Sequence, residues 1–112
     1  MNTKVIDLKK EIKPVRGGIA SKTIRRSRDA KIVLFRFDAG QQLSEHTASV
    51  AASIQIVEGR AKVKLGRQWI SAGPGTWIAM EPGLVHAIDA KTEVVMLLTL
   101  FQHEKNGGAP EN

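Results

Sequence analysis

Cysteine and tyrosine are both missing from the 112 residues, and aromatic side chains of any kind make up only 4%. Without cysteine there is no disulfide scaffold, no thiolate nucleophile and no Cys-based zinc or iron–sulfur site. No apolar run approaches the ~20 residues that a membrane-spanning helix needs. The opening MNTKVIDLKKEIK lacks the apolar stretch of about 7–15 residues found in a signal peptide. These absences lead us to expect a soluble, cytoplasmic protein with no membrane partner. Phosphate-loop, H-E-x-x-H and Ser/His/Asp patterns are also lacking. Few acids lie near the histidines, which argues against a paired-carboxylate hydrolase.

What is present is the material of one ordinary domain, 42% hydrophobic and 25% charged. The net charge of +6 is unevenly placed. Residues 1–36 carry eleven Lys/Arg against three acids, a local +8, and residues 37–112 carry six against eight, a local −2. The densest cluster is Lys22, Arg25, Arg26, Arg28 and Lys31. A nucleic-acid surface gains from stacking aromatics, and this third has no Tyr or Trp, so nucleic acid is the weakest of the partners considered. A solvated, basic edge strand, whose charges discourage unwanted pairing, accounts for the cluster more simply. The alternative is contact with an anionic ligand or with the acidic body of a second copy.

Short apolar runs separated by turn residues predict an all-β fold. Lys31–Phe37 ends at Asp38-Ala39-Gly40, and Ser53–Val57 ends at Glu58-Gly59. Arg60–Leu65 alternates, with Ala61, Val63 and Leu65 on one face. After the Gly66-Arg67 turn come Gln68–Ser71, the breaker Gly73-Pro74-Gly75, Thr76–Met80, the turn Glu81-Pro82-Gly83 and Leu84–Ile88. Glu93–Phe101, apolar on both faces, reads as a central strand. Val5, Ile6, Leu8 and Ile12 could form a short amphipathic turn before Pro14. The domain is expected over residues 19–101, with an N-terminal arm over 1–18 and a flexible tail over 102–112. About eight strands suggest a small closed β-barrel or jelly roll, because closure removes exposed edges.

The segment from Gly40 to Gly59, GQQLSEHTASVAASIQIVEG, resembles the first motif of the cupin superfamily: Gly, five residues, His-x-His, three or four residues, Glu, six residues, Gly. Gly40, His46 and Gly59 stand at matching positions. The segment from Gly75 to Ala90, GTWIAMEPGLVHAIDA, is similar to the second motif, with Gly75, Gly83 and His86 matching. The resemblance implies a cupin-like barrel and, in its usual form, one divalent metal held by two His and a Glu of the first motif and a His of the second. Here His46 and His86 occupy two of those positions, while Ala48 and Ala52 stand at the second His and the Glu. Glu81 and Ala90 replace the usual Pro and Asn. The metal implied, Zn, Fe, Mn or Ni, would therefore be bound weakly.

A catalytic metal generally takes three protein ligands and an open position. Strand alternation puts Ser44, His46 and Ala48 on one face with Glu45 opposite, and Ala52, Ile54 and Ile56 together with Gln55 looking away. A β-bulge near His46 would change this parity and could recruit Gln55 or Glu45 as a third ligand. His46 and His86 are expected to face one cavity from opposing walls. Leu84 and Ile88 share the face of His86, and Ala48 and Ala52 leave space for a small apolar or aromatic molecule. Trp69, Trp77, Met80 and Phe101 are candidate walls, though each is more simply explained as core or dimer-interface packing, and His103 reads as a surface residue of the tail. The expected function is small-molecule binding in a His-lined, largely apolar pocket, in a homodimer. The alternative is a metal-dependent oxygenase or isomerase acting on a small polar molecule. No catalytic residue is assigned.

Overall fold

The computed structural model describes residues 3–102, and these hold nine strands. They are β1 (Ile19–Arg26), β2 (Ala30–Phe37), β3 (Gln42–His46), β4 (Ala52–Glu58), β5 (Ala61–Leu65), β6 (Gln68–Ala72), β7 (Trp77–Met80), β8 (His86–Ala90) and β9 (Val94–Phe101). Two antiparallel sheets result, ordered β1-β2-β9-β4-β7 and β3-β8-β5-β6. All-β architecture is as expected; the described residues hold nine strands against about eight expected, in two sheets. The expected strand at Leu84–Ile88 lies two residues further on, because Glu81-Pro82-Gly83 and Leu84 are used up in the turn.

Alternation builds the core. Phe37, Ile54, Ile56, Ile78, Met80, Val94 and Met96 from the first sheet meet Ala61, Val63, Ile88 and Ala90 from the second in one buried cluster. β9 lies between β2 and β4, which explains why Val94, Val95 and Met96 are all buried.

The outer face of the first sheet has a second, smaller cluster, where Ile12, Leu34 and Val95 are buried beside Leu8, Ala20, Ile24, Val57 and Leu97. The N-terminal segment thus lies on its own sheet. Asp7 starts a single turn there, its carboxylate accepting from the Lys9 amide at 3.0 Å and its carbonyl from the Lys10 and Glu11 amides. Arg36 donates to the carbonyls of Lys9 and Ile12, both at 3.0 Å, and pairs with Glu93. Lys22 pairs with Glu11 at 2.6 Å, and Asp38 accepts from the Gly17 amide at 2.6 Å. The basic cluster falls on β1, an edge strand (Lys22, Arg25, Arg26), on the turn to β2 (Arg28) and at the start of β2 (Lys31). Residues 103–112, which include most of the expected tail and His103, lie outside the described residues.

Candidate functional site

His46 ends β3 and His86 begins β8, and the antiparallel register sets them directly opposite each other. Their ring centroids are 4.1 Å apart with planes inclined at 58°. The rings come together as cross-strand neighbours in one sheet, not from opposing walls as expected, because the β3–β8 ladder brings the two motifs side by side. Gly83, with φ +83°, makes the turn that delivers the chain to His86. Its amide donates to the Ala48 carbonyl at 2.8 Å, tying together the two loops that flank the histidines.

The register between Leu43 and His46 is irregular: Leu43 opposes Ile88 and His46 opposes His86, so β3 spends one more residue than β8 over this interval. This bulge puts Leu43 and His46 on the same side, and both line one cavity. Strict alternation would have separated them.

Both imidazoles are held in the same way. His46 Nδ1 lies 2.7 Å from the Ser44 carbonyl oxygen, and His86 Nδ1 lies 2.9 Å from that of Leu84. A carbonyl oxygen can only accept, so each Nδ1 donates and carries the proton. The tautomer that follows leaves Nε2 of each ring with its lone pair free. His86 is buried, whereas His46 is exposed. Burial pushes the pKa of His86 below its ordinary value, and the neighbouring His46 adds to this, against the opposing effect of the Leu84 hydrogen bond. Both effects favour the neutral form of His86.

The cavity that the two rings line measures about 30 Å³, and its remaining walls are Phe35, Leu43, Ile54, Ile88, Met96 and Leu98. This is room for one or two water-sized groups and no more. Of the residues expected in the pocket, His46, His86 and Ile88 are brought together there. Ala52 is packed into the core, and Ala48 lies half-buried in the β3–β4 loop. The two alanines therefore open no pocket at this point. Leu84 packs against the core and gives the site its carbonyl rather than its side chain. Met80 is a core residue, whereas Trp69, Trp77 and Phe101 stand on the outside at 51%, 62% and 43% exposure. Sequence reasoning missed Phe35, Leu43, Ile54, Met96 and Leu98 as walls. Alternation alone would have found Ile54, Met96 and Leu98.

Neither proposed third ligand reaches the pair. Gln55 is exposed on β4, next to the inward-facing Ile54. The carboxylate of Glu45 is engaged by Lys64. Among the described residues, no group of three or more His, Cys, Asp or Glu is placed to hold a metal ion. Two imidazole nitrogens would leave a divalent ion bound mostly to water, so this donor set does not fit a resident catalytic metal. Among the described residues, no helix is long and apolar enough to cross a membrane.

No protein-family model matches the chain, and no curated protein matches it. Solved structures do. A conserved protein of unknown function from Streptococcus pyogenes is 28% identical, with TM-score 0.83, over 94% of this chain and 92% of that one. A cupin superfamily protein from Desulfitobacterium hafniense is 23% identical, with TM-score 0.81, over 90% and 93%. An RmlC-like cupin from Desulfovibrio desulfuricans is 24% identical, with TM-score 0.82, over 90% and 98%. In fold, this chain is similar to these proteins of the cupin superfamily.

Proposed function

We propose that this protein binds a small molecule through His46 and His86. The observation that carries this reading is the pair of imidazoles set against each other with both Nδ1 protons committed to backbone carbonyls. That leaves two hydrogen-bond acceptors side by side, one buried and one open to solvent. Neutral, the pair suits a ligand that offers hydroxyl or N–H donors. An imidazole in its protonated form offers a donor to a carboxylate instead. The cavity of about 30 Å³ admits only the end of such a ligand. The remainder would lie over the exposed ring of His46. The donor set favours this reading over a metal-dependent oxygenase or isomerase, which needs a third ligand that neither Gln55 nor Glu45 supplies.

Melting curves of the full chain with phenol, benzoate and acetate test the proposal, since binding to the folded state alone raises Tm. At least one of these probes should raise Tm in the wild type and fail to do so in His46→Ala. No shift with any probe, or equal shifts in wild type and His46→Ala, would count against a ligand site at this pair.

A further inference from the structure

Two cations that the histidine site leaves unused stand on the inner face of the five-stranded sheet. Phe37 belongs to the core and Phe35 to the cavity wall, so alternation puts Val33 and Lys31 on that same inner side. Thr23 opposes Val33 and Arg26 opposes Lys31, and β1 spends one more residue than β2 between these pairs. Strict alternation from Thr23 would turn Arg25 inward; the bulge turns Arg26 inward instead. Across the sheet Lys31 pairs with Leu100, Leu100 with Ala52 and Ala52 with Met80, the last two being core residues. The neighbouring row runs Val33, Leu98, Ile54, and there Leu98 and Ile54 line the cavity. Lys31 thus lies one rung of about 6.6 Å and one strand spacing of about 4.8 Å from the Leu98 wall. No rung of the four-stranded sheet extends past His46, His86, Leu65 and Gln68. The row that ends in Lys31 and Arg26 therefore overhangs the two rings, and Leu98 and Leu100 are only half-buried.

We infer that the ligand of His46 and His86 carries an oxyanion, a carboxylate or a phosphate, which Arg26 and Lys31 receive; this rests on the ligand-binding reading above. Like charges directly opposite each other on a ladder destabilise it. Among the described residues, neither cation has an ion-pair partner, and the acid nearest in the chain, Asp29 of the β1–β2 turn, pairs with neither. Protection of an edge accounts for Arg26 on β1. It does not account for Lys31, which is half-buried on a strand with β1 on one side and β9 on the other. An oxyanion set between the two side chains replaces their repulsion with charge-assisted hydrogen bonds. Between these cations and the imidazoles the surface is apolar, formed by Leu98 and Leu100. The ligand is then a hydroxyl or N–H donor at one end, apolar in the middle and anionic at the other end. A hexyl chain covers the span.

Titrations of the full chain with ω-hydroxyhexanoate, ω-hydroxyhexyl phosphate and α,ω-hexanediol, followed by heteronuclear NMR, test this. The three probes share the hydroxyl and the hexyl chain and differ only at the far end. At low salt at least one anionic probe should bind about 5-fold more tightly than the diol, the worth of two ordinary exposed ion pairs. Added salt should shrink that preference, and the tighter of the two anions names the oxyanion. Arg26→Gln combined with Lys31→Met should erase the preference and leave the affinity for the diol unchanged. The melting curve of this double variant checks its folding, and Tm should hold or rise as the like-charge pair is removed. Arg28→Gln, which removes one charge from the turn outside the row, should keep the preference. Equal affinities for all three probes, or a preference that survives in the double variant, would overturn the inference. So would a preference that Arg28→Gln abolishes, since net charge rather than a site would then be its source. If the diol binds, loses affinity in His46→Ala and is matched by both anions, the ligand-binding reading stands and this inference alone falls. If no probe binds, both fall.

Discussion

His86 is the residue where position and protonation are most closely linked. Its pKa is lowered in the folded protein, first by burial, so on acidification the unfolded chain takes up the proton before the folded one. Stability therefore rises with pH wherever the unfolded state binds more protons. It should be level above the ordinary histidine value of 6.5 and fall as pH drops from there toward the depressed folded value. Urea midpoints between neutral and mildly acidic pH should show this decline, and His86→Gln should flatten it. An equally steep decline in His86→Gln would place its cause elsewhere. Asp38 acts in a separate window. Its pKa is lowered chiefly by the Gly17 amide, then by that of Ala39. That contribution is present above the ordinary value of 3.8 and is lost as pH falls through the lower folded value. Asp38→Asn should remove it while leaving the decline near 6.5 in place.

At the level of elements, the turn after β4 depends on Gly59. Its φ is +92°, and a Cβ there would run into the Glu93 carbonyl oxygen. Gly59→Ala should cost at least ~2 kcal/mol, since left-handed strain and a backbone clash add, and an unchanged Tm would contradict this reading. Ile12, 6% exposed, fixes the N-terminal segment to the sheet. Ile12→Ala should cost about 2 kcal/mol and expose the lysines of that segment to trypsin, while the rest of the chain survives. Persistent protection would mean that Arg36 and Asp38 hold the segment without it. Most strands could be read from the sequence, because a period of two with Gly and Pro punctuation is a local signal. The β3 bulge could not. It depends on how Leu43 and His46 meet Ile88 and His86, forty residues later in the chain. For the same reason the motif glycines and the two histidines were legible, whereas the cavity walls supplied by Phe35 and Leu43 were not. The space expected from Ala48 and Ala52 was closed by packing that no local pattern reports.

For the whole molecule, the two sheets form one core. The donor set at His46 and His86 predicts a fold that does not depend on metal. Dialysis against EDTA should leave Tm unchanged, and a near-stoichiometric divalent ion that resists dialysis would contradict this. The central claim is that two imidazoles face each other with Nδ1 protonated and Nε2 free. Long-range ¹⁵N–¹H correlation spectra of the histidine rings at neutral pH, with ring-to-ring nuclear Overhauser contacts, test it most directly. Both rings should show the Nδ1–H tautomer, contact each other, and have their Nε2 signals perturbed by the same small-molecule probe. Nε2–H tautomers, or rings with no mutual contact, would contradict the account.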